Sequence, residues 1–268
     1  MSRIEDVALA AGVSTATVSR ALRGLPKVSA ETRQRVLDAA AEARYIASPT
    51  ASSLASGKTG VVAVVVPYVT RWYFAHLIAG ASQMLREHGY HVLLVDVGDE
   101  GPGREMLLDS RLFFKRVDAA LVLSLRMHPQ EREMLGRLGF PVVSVGVPSA
   151  GWSCVRIDDV GAIRLATEHL IGLGHERIAF VGGKPLPATD FTTPGDRETG
   201  FRAAMADAGL PVRDWQVANA AWTPAGGLEA GLSLLRRRQR PTAVVVASDE
   251  MAIGVLSAAR EPGHRRAR

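Results

Sequence analysis

Apolar residues recur at two different periods along this chain, and the change of period divides it. Near the N-terminus Ile4, Val7, Ala8 and Ala11 fall at i, i+3, i+4 and i+7, one face of a helix. Gly12 suits the left-handed residue that ends such a helix, because it has no Cβ to clash. Ser14 is then an N-cap for a second helix, Thr15–Leu22, with Val18, Ala21 and Leu22 on its apolar face. Arg23–Lys27 reads as a loop from its Gly and Pro. Ser29 caps a third helix, Ala30–Ala43, with Glu31 near its positive end and Val36, Leu37, Ala40 and Ala43 on one face. The three helices can close a small core, with Val28 and Tyr45 as lids.

From Val61 the helical period gives way to short apolar runs. VVAVVVP (61–67) is a continuous β-branched run and predicts a buried parallel strand. Further strands are predicted at 91–95, 119–125 and 141–145, with helices over Ala75–His88, Met106–Lys115 and Gln130–Leu138. A second set opens at Val155–Ile157. It continues through helix Gly161–Leu173, capped by Asp158 or Asp159, to a strand over 177–182 and helix Thr199–Ala208. A short run at Gln216–Val217, helix Gly226–Arg238, a strand over 242–247 and helix Glu250–Arg260 complete it. This alternation predicts open parallel sheets with helices on both faces, in two α/β halves. Between the two regimes, Ile46–Gly60 is rich in Ala, Ser and Gly and reads as a linker. Within it Thr50–Ser56 could form a helical turn only with something packed on it.

Composition adds where charge sits. The chain has 268 residues and a net charge of +5, and 47% of its residues are apolar, enough to build a core. Residues 1–58 hold eight bases against five acids. Outside the tracts Arg236–Arg240 and Arg260–Arg268 the remainder holds 16 bases against 21 acids. The charge that attracts phosphate is therefore concentrated at the N-terminus. Cys154 is the only cysteine, so no internal disulfide can form, and it reads as a small hydrophobe. No export signal and no apolar run of about 20 residues is present, which predicts a soluble cytoplasmic chain with no membrane contact.

Two helices joined by a short Gly-containing turn fit either a helix-turn-helix or an αα-hairpin in a bundle. In the former, the second helix enters the major groove of double-stranded DNA with its N-terminal residues at the base edges. The residue string favours it. Asp6-Val7-Ala8, Ala11-Gly12-Val13-Ser14 and Thr17-Val18-Ser19-Arg20, with Leu22, resemble the DNA-binding head of the LacI/GalR (lactose-repressor) family of transcriptional regulators. Val28-Ser29, Thr32-Arg33, Val36 and Tyr45 follow in the family's places. His169-Leu170, Gly174-His175, Arg177-Ile178, Arg197 with Gly200-Phe201, and Asp249 with Met251-Ala252 and Gly254 resemble its sensor domain.

The resemblance implies an α/β protein with an all-α head and a periplasmic-binding-protein-like sensor of two subdomains. The expected division is a head over 1–46, a hinge over 47–60 and a sensor over 61–268, split into 61–157, 158–260 and a basic tail 261–268. It implies a homodimer reading a pseudo-palindromic operator. Thr15, Ala16 and Arg20 match base-contacting positions, and a guanidinium at Arg20 can bond guanine O6 and N7 bidentately. The hydroxyls of Ser14, Thr17 and Ser19 suit phosphates. Leu54 matches a residue that wedges into the minor groove. In the sensor the resemblance assigns Arg197 to ligand oxygens. Ser248 and Asp249 end a strand, where they either touch ligand or cap the next helix. Trp72 and Phe74 either stack on a sugar or pack on the helix that follows.

The chain also departs from the family's pattern. Ala47-Ser48 and Ala51-Ser52 stand in the hinge where the family often has Pro-Asn and an arginine. The family continues beyond helix Glu250–Arg260, whereas here Pro262 stops the helix and a basic tail follows, so a sensor incomplete at its C-terminus is expected. The reading is a DNA-binding regulator of the repressing kind common in the family, controlled by a small sugar-like effector; the alternative is a truncated DNA-binding fragment without effector response. No enzyme is expected and no cofactor or metal: there is no Gly-x-Gly-x-x-Gly after a strand, no phosphate-binding P-loop, no Gly-x-Ser-x-Gly and no His-Glu-x-x-His.

Overall fold

The computed structural model describes residues 3–46, 57–98, 102–184 and 192–261. The three N-terminal helices form where the pattern places them: α1 Ile4–Ala11, α2 Thr15–Leu22 and α3 Ala30–Glu42. Gly12, at φ 64°, turns the chain out of α1. The Asp6 carboxylate accepts the Arg3 amide at 2.8 Å, so Asp6 closes the start of α1. Ser14 accepts the Thr17 amide at 3.2 Å and Ser29 the Thr32 amide at 3.1 Å, satisfying donors that helix starts leave free. Val7, Val18 and Val36 are fully buried where the helices meet, surrounded by five alanines. Leu37, expected on that face, is exposed instead. The buried face of α3 runs through Val36, Ala39, Ala40 and Ala43, and Leu37 is one residue of rotation outside it.

The first α/β half begins with β1 Val61–Val66, α4 Trp72–Glu87 and β2 His91–Asp96. A short turn, α5 Pro102–Glu105, precedes β3 Ala119–Leu123, α6 Pro129–Arg137, β4 Val142–Val145 and β5 Ser153–Val155. The sheet is parallel, in the order β2-β1-β3-β4-β5. Two expectations fail here. The helix expected over Met106–Lys115 is two single 3-10 turns, because Asp109 is extended (ψ 100°) and its carboxylate accepts the Arg111 amide, competing with the helix ladder. The residues expected to open the second set instead end the first, since Ser153–Val155 pairs with β4.

The second half contains α7 Asp159–Gly172, β6 Ile178–Gly183, α8 Thr193–Asp207, β7 Val217–Ala220, α9 Pro224–Leu235, β8 Ala243–Val246 and α10 Asp249–Arg260. Among the described residues its sheet is parallel, in the order β7-β6-β8. All six residues of β6 are buried, as expected of a strand between two others. Phe180 on β6 stacks on Phe201 of α8 with ring centroids 5.4 Å apart. Helices α9 and α10 approach so closely that a Cβ on Gly254 would run into the Pro224 carbonyl oxygen and the Leu228 amide.

One side chain ties the end of the linker to the first sheet. Asp118, just before β3, accepts the Thr59 amide at 2.7 Å and its hydroxyl at 3.0 Å on one oxygen, and the Gly60 amide at 2.8 Å on the other. Burial by itself would raise the Asp118 pKa, but these hydrogen bonds and the Lys58 charge outweigh it and hold the group below the ordinary carboxylate value. No described helix is long and apolar enough to cross a membrane.

Candidate functional site

Two surfaces carry the predicted site residues. The first is α2. Its buried Val18 and Ala21 fix the helix against α1 and α3, which turns Ser14, Thr15, Ala16 and Arg20 outward. The Arg20 side chain has no hydrogen-bond or ionic partner among the described residues, so its guanidinium can meet an outside acceptor. Ser14 and Thr17 are already engaged with each other, their hydroxyl oxygens 2.9 Å apart. Ser19 is half-buried. Behind the helix, Arg33 of α3 donates to the carbonyls of Ala21 and Leu25, each at 2.7 Å. It thereby fixes the end of α2 and the loop after it. Arg33 was legible only as part of a motif; its role as a brace was not, because it depends on where two carbonyls lie in space. Leu54, the helical turn at Thr50–Ser56, the hinge departures and the tail from Pro262 lie outside the described residues.

The second surface is a cleft of about 530 Å³ between the two α/β halves. Its walls come from the carboxyl ends of strands, the place where open parallel sheets hold ligands. Trp72, Phe74, Arg197, Ser248 and Asp249 all line it. They do so differently. Trp72 is half-exposed, its ring 4.2 Å from that of His76. Phe74 is 7% exposed and packs with Val64, Val66 and Leu123, so most of its ring is core. Ser248 caps α10 by accepting the Met251 amide at 3.3 Å, and Asp249 is the first residue of that helix. The capping alternative therefore describes what Ser248 does in the structure, though its position also puts it on the cleft wall.

Arg197 is held from two sides. Its Nε donates to the Asp159 carboxylate at 2.7 Å, and Nη1 donates to the Ala247 carbonyl. Thr193 reaches the other Asp159 oxygen at 3.4 Å. Helix α8 starts at Thr193, earlier than the expected Thr199, with Pro194 in its first turn. That extra stretch is why Arg197 projects from a helix and not a loop, and a helix fixes its guanidinium more closely. Asp158 caps α7 through the Gly161 amide at 2.9 Å, leaving Asp159 free to face Arg197.

The cleft also holds residues that were not singled out as ligand contacts: Tyr68, Tyr73, Ser124 and Trp222. Tyr68, Ser124 and Trp222 each follow a strand end, so the rule that drew attention to Ser248 would have found them. The Tyr68 hydroxyl is buried without a hydrogen-bond partner among the described residues, while the Arg71 guanidinium lies 4.1 Å from the ring's centroid. The Trp222 indole donates to the Lys184 carbonyl at 3.0 Å. Cationic and anionic side chains balance around the cavity: Arg71, Arg156 and Arg197 against Asp159, Asp249 and Glu250. Such a wall of rings with matched charge suits a neutral ligand with both flat apolar faces and hydrogen-bonding groups.

Known proteins resemble both regions of the chain. The model for bacterial regulatory proteins of the lacI family matches residues 3–48, and the model for periplasmic binding proteins and the sugar binding domain of the LacI family matches residues 59–267. Catabolite control protein A of Priestia megaterium is 33% identical over 265 residues, covering 97% of this chain and 78% of its own. The complex of transcriptional regulator CelR with cellobiose is 32% identical with a TM-score of 0.66, covering 99% of this chain and 80% of that one. The lac repressor dimer bound to operator and the anti-inducer ONPF is 25% identical with a TM-score of 0.82, covering 98% and 79%.

Proposed function

The chain belongs to the LacI family of bacterial regulatory proteins, and from that premise we propose that it is a transcriptional repressor that reads operator DNA with α2 and is controlled by a small neutral sugar in the cleft. It is a regulator and not an enzyme. The proposed division is a reading head over 1–46, a hinge over 47–60 and a sensor from 61 onward. The observation that carries the reading is that one chain combines an outward-facing, capped helix bearing an unpartnered Arg20 with a cleft walled by both α/β halves.

Arg20 is assigned to a guanine edge, Thr15 to a base or thymine methyl, and Ala16 to apolar contact. Ser14, Thr17 and Ser19 are assigned to phosphates, and Leu54 to the minor groove. A homodimer would set two heads about one helical turn apart on a pseudo-palindrome. The lac repressor relative is a dimer on its operator, which supports this arrangement. In the cleft, Trp72 and Trp222 would face sugar rings, and Arg197 would bind hydroxyls with the donors that Asp159 and Ala247 leave free. A bound hydroxyl could also supply the partner that Tyr68 lacks. The CelR relative holds cellobiose, which supports a sugar. A cleft closed on both sides favours an effector-controlled regulator over a DNA-binding fragment without one. A ligand there acts only through its different affinity for the two arrangements of the halves.

The test is selection of random duplex DNA on the purified chain at physiological salt, repeated with a panel of neutral mono- and disaccharides. A two-fold pseudo-palindrome should be enriched, and one class of sugar should raise the melting temperature and change operator affinity. Binding that enriches no sequence and merely fades with salt would overturn the operator reading. A panel in which no sugar raises the melting temperature would overturn the sugar reading.

A further inference from the structure

A second concavity lies at the opposite end of the second sheet. It has a volume of about 540 Å³ and its lining includes Arg177, Arg213, Trp215, Arg238 and Arg240, with Glu176 as the one carboxylate among its described residues. Arg177 directly precedes β6 and Arg240 leads into β8, so both stand where those parallel strands begin. The effector cleft is lined from the other end, by Val246 and Ala247 at the close of β8. The two cavities share the same strands and no lining residue.

The arginines of this groove differ from those that the fold pairs with carboxylates. Arg104, Arg164, Arg197 and Arg202 each have a carboxylate partner within 2.7 Å, and nearby Arg236 pairs with Glu261 at 3.2 Å. Among the described residues Arg177, Arg213, Arg238 and Arg240 have none. Two of them are instead oriented by neutral groups. Arg177 Nε donates to the Arg240 carbonyl at 3.5 Å and Arg213 Nη1 to the Gln239 side-chain oxygen at 3.3 Å. Arg237 adds a fifth guanidinium beside the groove, 5.2 Å from the centroid of the Trp215 ring. Folding thus gathers like charges from three separate segments into one hollow, in excess over its one carboxylate, Glu176, among the described residues. That arrangement is electrostatically unfavourable until an anion enters.

We infer that this groove binds a small polyanion, a ligand carrying two or more phosphate groups. Guanidinium forks match phosphate oxygens bidentately, and several converging forks select for multiple charge. The volume suits a small molecule. A duplex would need an extended basic stripe or an element that enters a groove, whereas this surface is a hollow. The site is independent of the operator and sugar assignments, so it can fail while they stand.

The probe is inorganic tripolyphosphate, titrated calorimetrically into the full-length chain without divalent cations and at constant ionic strength. Saturable binding of one tripolyphosphate per chain is expected. The double variant Arg213→Gln/Arg240→Gln, at two exposed positions, should weaken it by about 30-fold or more. Arg177→Lys keeps the charge but loses the fork, and should show a smaller loss. Arg20→Ala and Arg197→Ala should bind tripolyphosphate as the parent does, and circular dichroism should show all variants folded. The proposal is overturned if the double variant binds normally, if Arg20→Ala abolishes binding, or if sulfate at the same ionic strength competes equally. It is likewise overturned if duplex DNA displaces tripolyphosphate from the Arg20→Ala chain, since the groove would then be a DNA surface.

Discussion

The α2 surface and the effector cleft are built by opposite strategies. The reading surface is local. One eight-residue helix supplies nearly every group, and three neighbouring contacts set it: the Ser14 cap, the buried Val18 and the Arg33 brace. The cleft is assembled from residues between Tyr68 and Ala252, drawn from strand ends and helix starts of both halves. Its central cation is neutralised and fixed by Asp159, while the Arg20 guanidinium has no partner among the described residues. The difference matches what each is proposed to recognise. A polyanion rewards an unpaired cation that reaches outward, whereas a neutral ligand in a hollow rewards donors already aligned at low net charge.

If the two are separately built, changes in one should leave the other untouched. The largest effect is expected from Gly254→Ala. The added Cβ forces α9 and α10 apart and should cost about 3 kcal/mol. Calorimetry should show the sensor's transition lowered while a head fragment spanning α1–α3 melts as before; an unshifted sensor would contradict the close α9–α10 packing. Next, Arg197→Ala should weaken effector binding roughly 100-fold, since a charged hydrogen-bonding group is worth about 1.5–3 kcal/mol. Operator affinity without effector should not change. Asp159→Ala should act in the same direction by loosening Arg197, and equal effector affinity in both variants and the parent would remove Arg197 from the site.

Arg20→Ala should cost about 2 kcal/mol on the operator and flatten preference at one base pair, with sugar binding intact. An unchanged base preference would disprove that assignment. The smallest effect belongs to Asp118→Asn, about 1 kcal/mol from weakened hydrogen bonds. Its sign with pH is defined. The folded-state pKa is held low, so the stabilisation is complete above the ordinary value of about 3.9 and is lost as pH falls through the lower folded value. Denaturation curves of the parent and variant should therefore converge in acid and separate above about pH 4; a constant gap would exclude the ionised clamp.

The same contrast explains what could be read from the residues alone. The head was legible in detail because caps, Gly12 and the helical period are local signals, and all three helix starts were placed correctly. The alternation of strands and helices in the sensor was legible too, since continuous β-branched runs can hardly be anything but buried strands. Legibility failed where long-range geometry decides. Nothing in Met106–Lys115 announces that Asp109 will break the helix. Nothing local says that Ser153–Val155 will pair with β4. The site residues Trp72, Phe74, Arg197, Ser248 and Asp249 came from a motif and from the strand-end rule, and the structure brings them to one cavity. Tyr68 and Trp222 lacked a motif but stand at strand ends, where the same rule reaches them, whereas Asp159 gains its role only once α8 brings Arg197 to it.

The Asp118 clamp has a practical consequence for building chimaeras. Because both oxygens are used by Thr59 and Gly60, with the Lys58 charge beside them, the point at which this carboxylate fixes the sensor spans Lys58–Gly60. A foreign reading head can therefore be spliced upstream of Lys58 without disturbing the anchor. A junction two residues later would replace the Lys58 charge and the Thr59 hydroxyl that Asp118 holds, and the graft would be attached to the sheet by a slacker tether. Swapping heads between regulators of this kind thus has a natural cut site, defined by three hydrogen bonds and not by the composition of the linker.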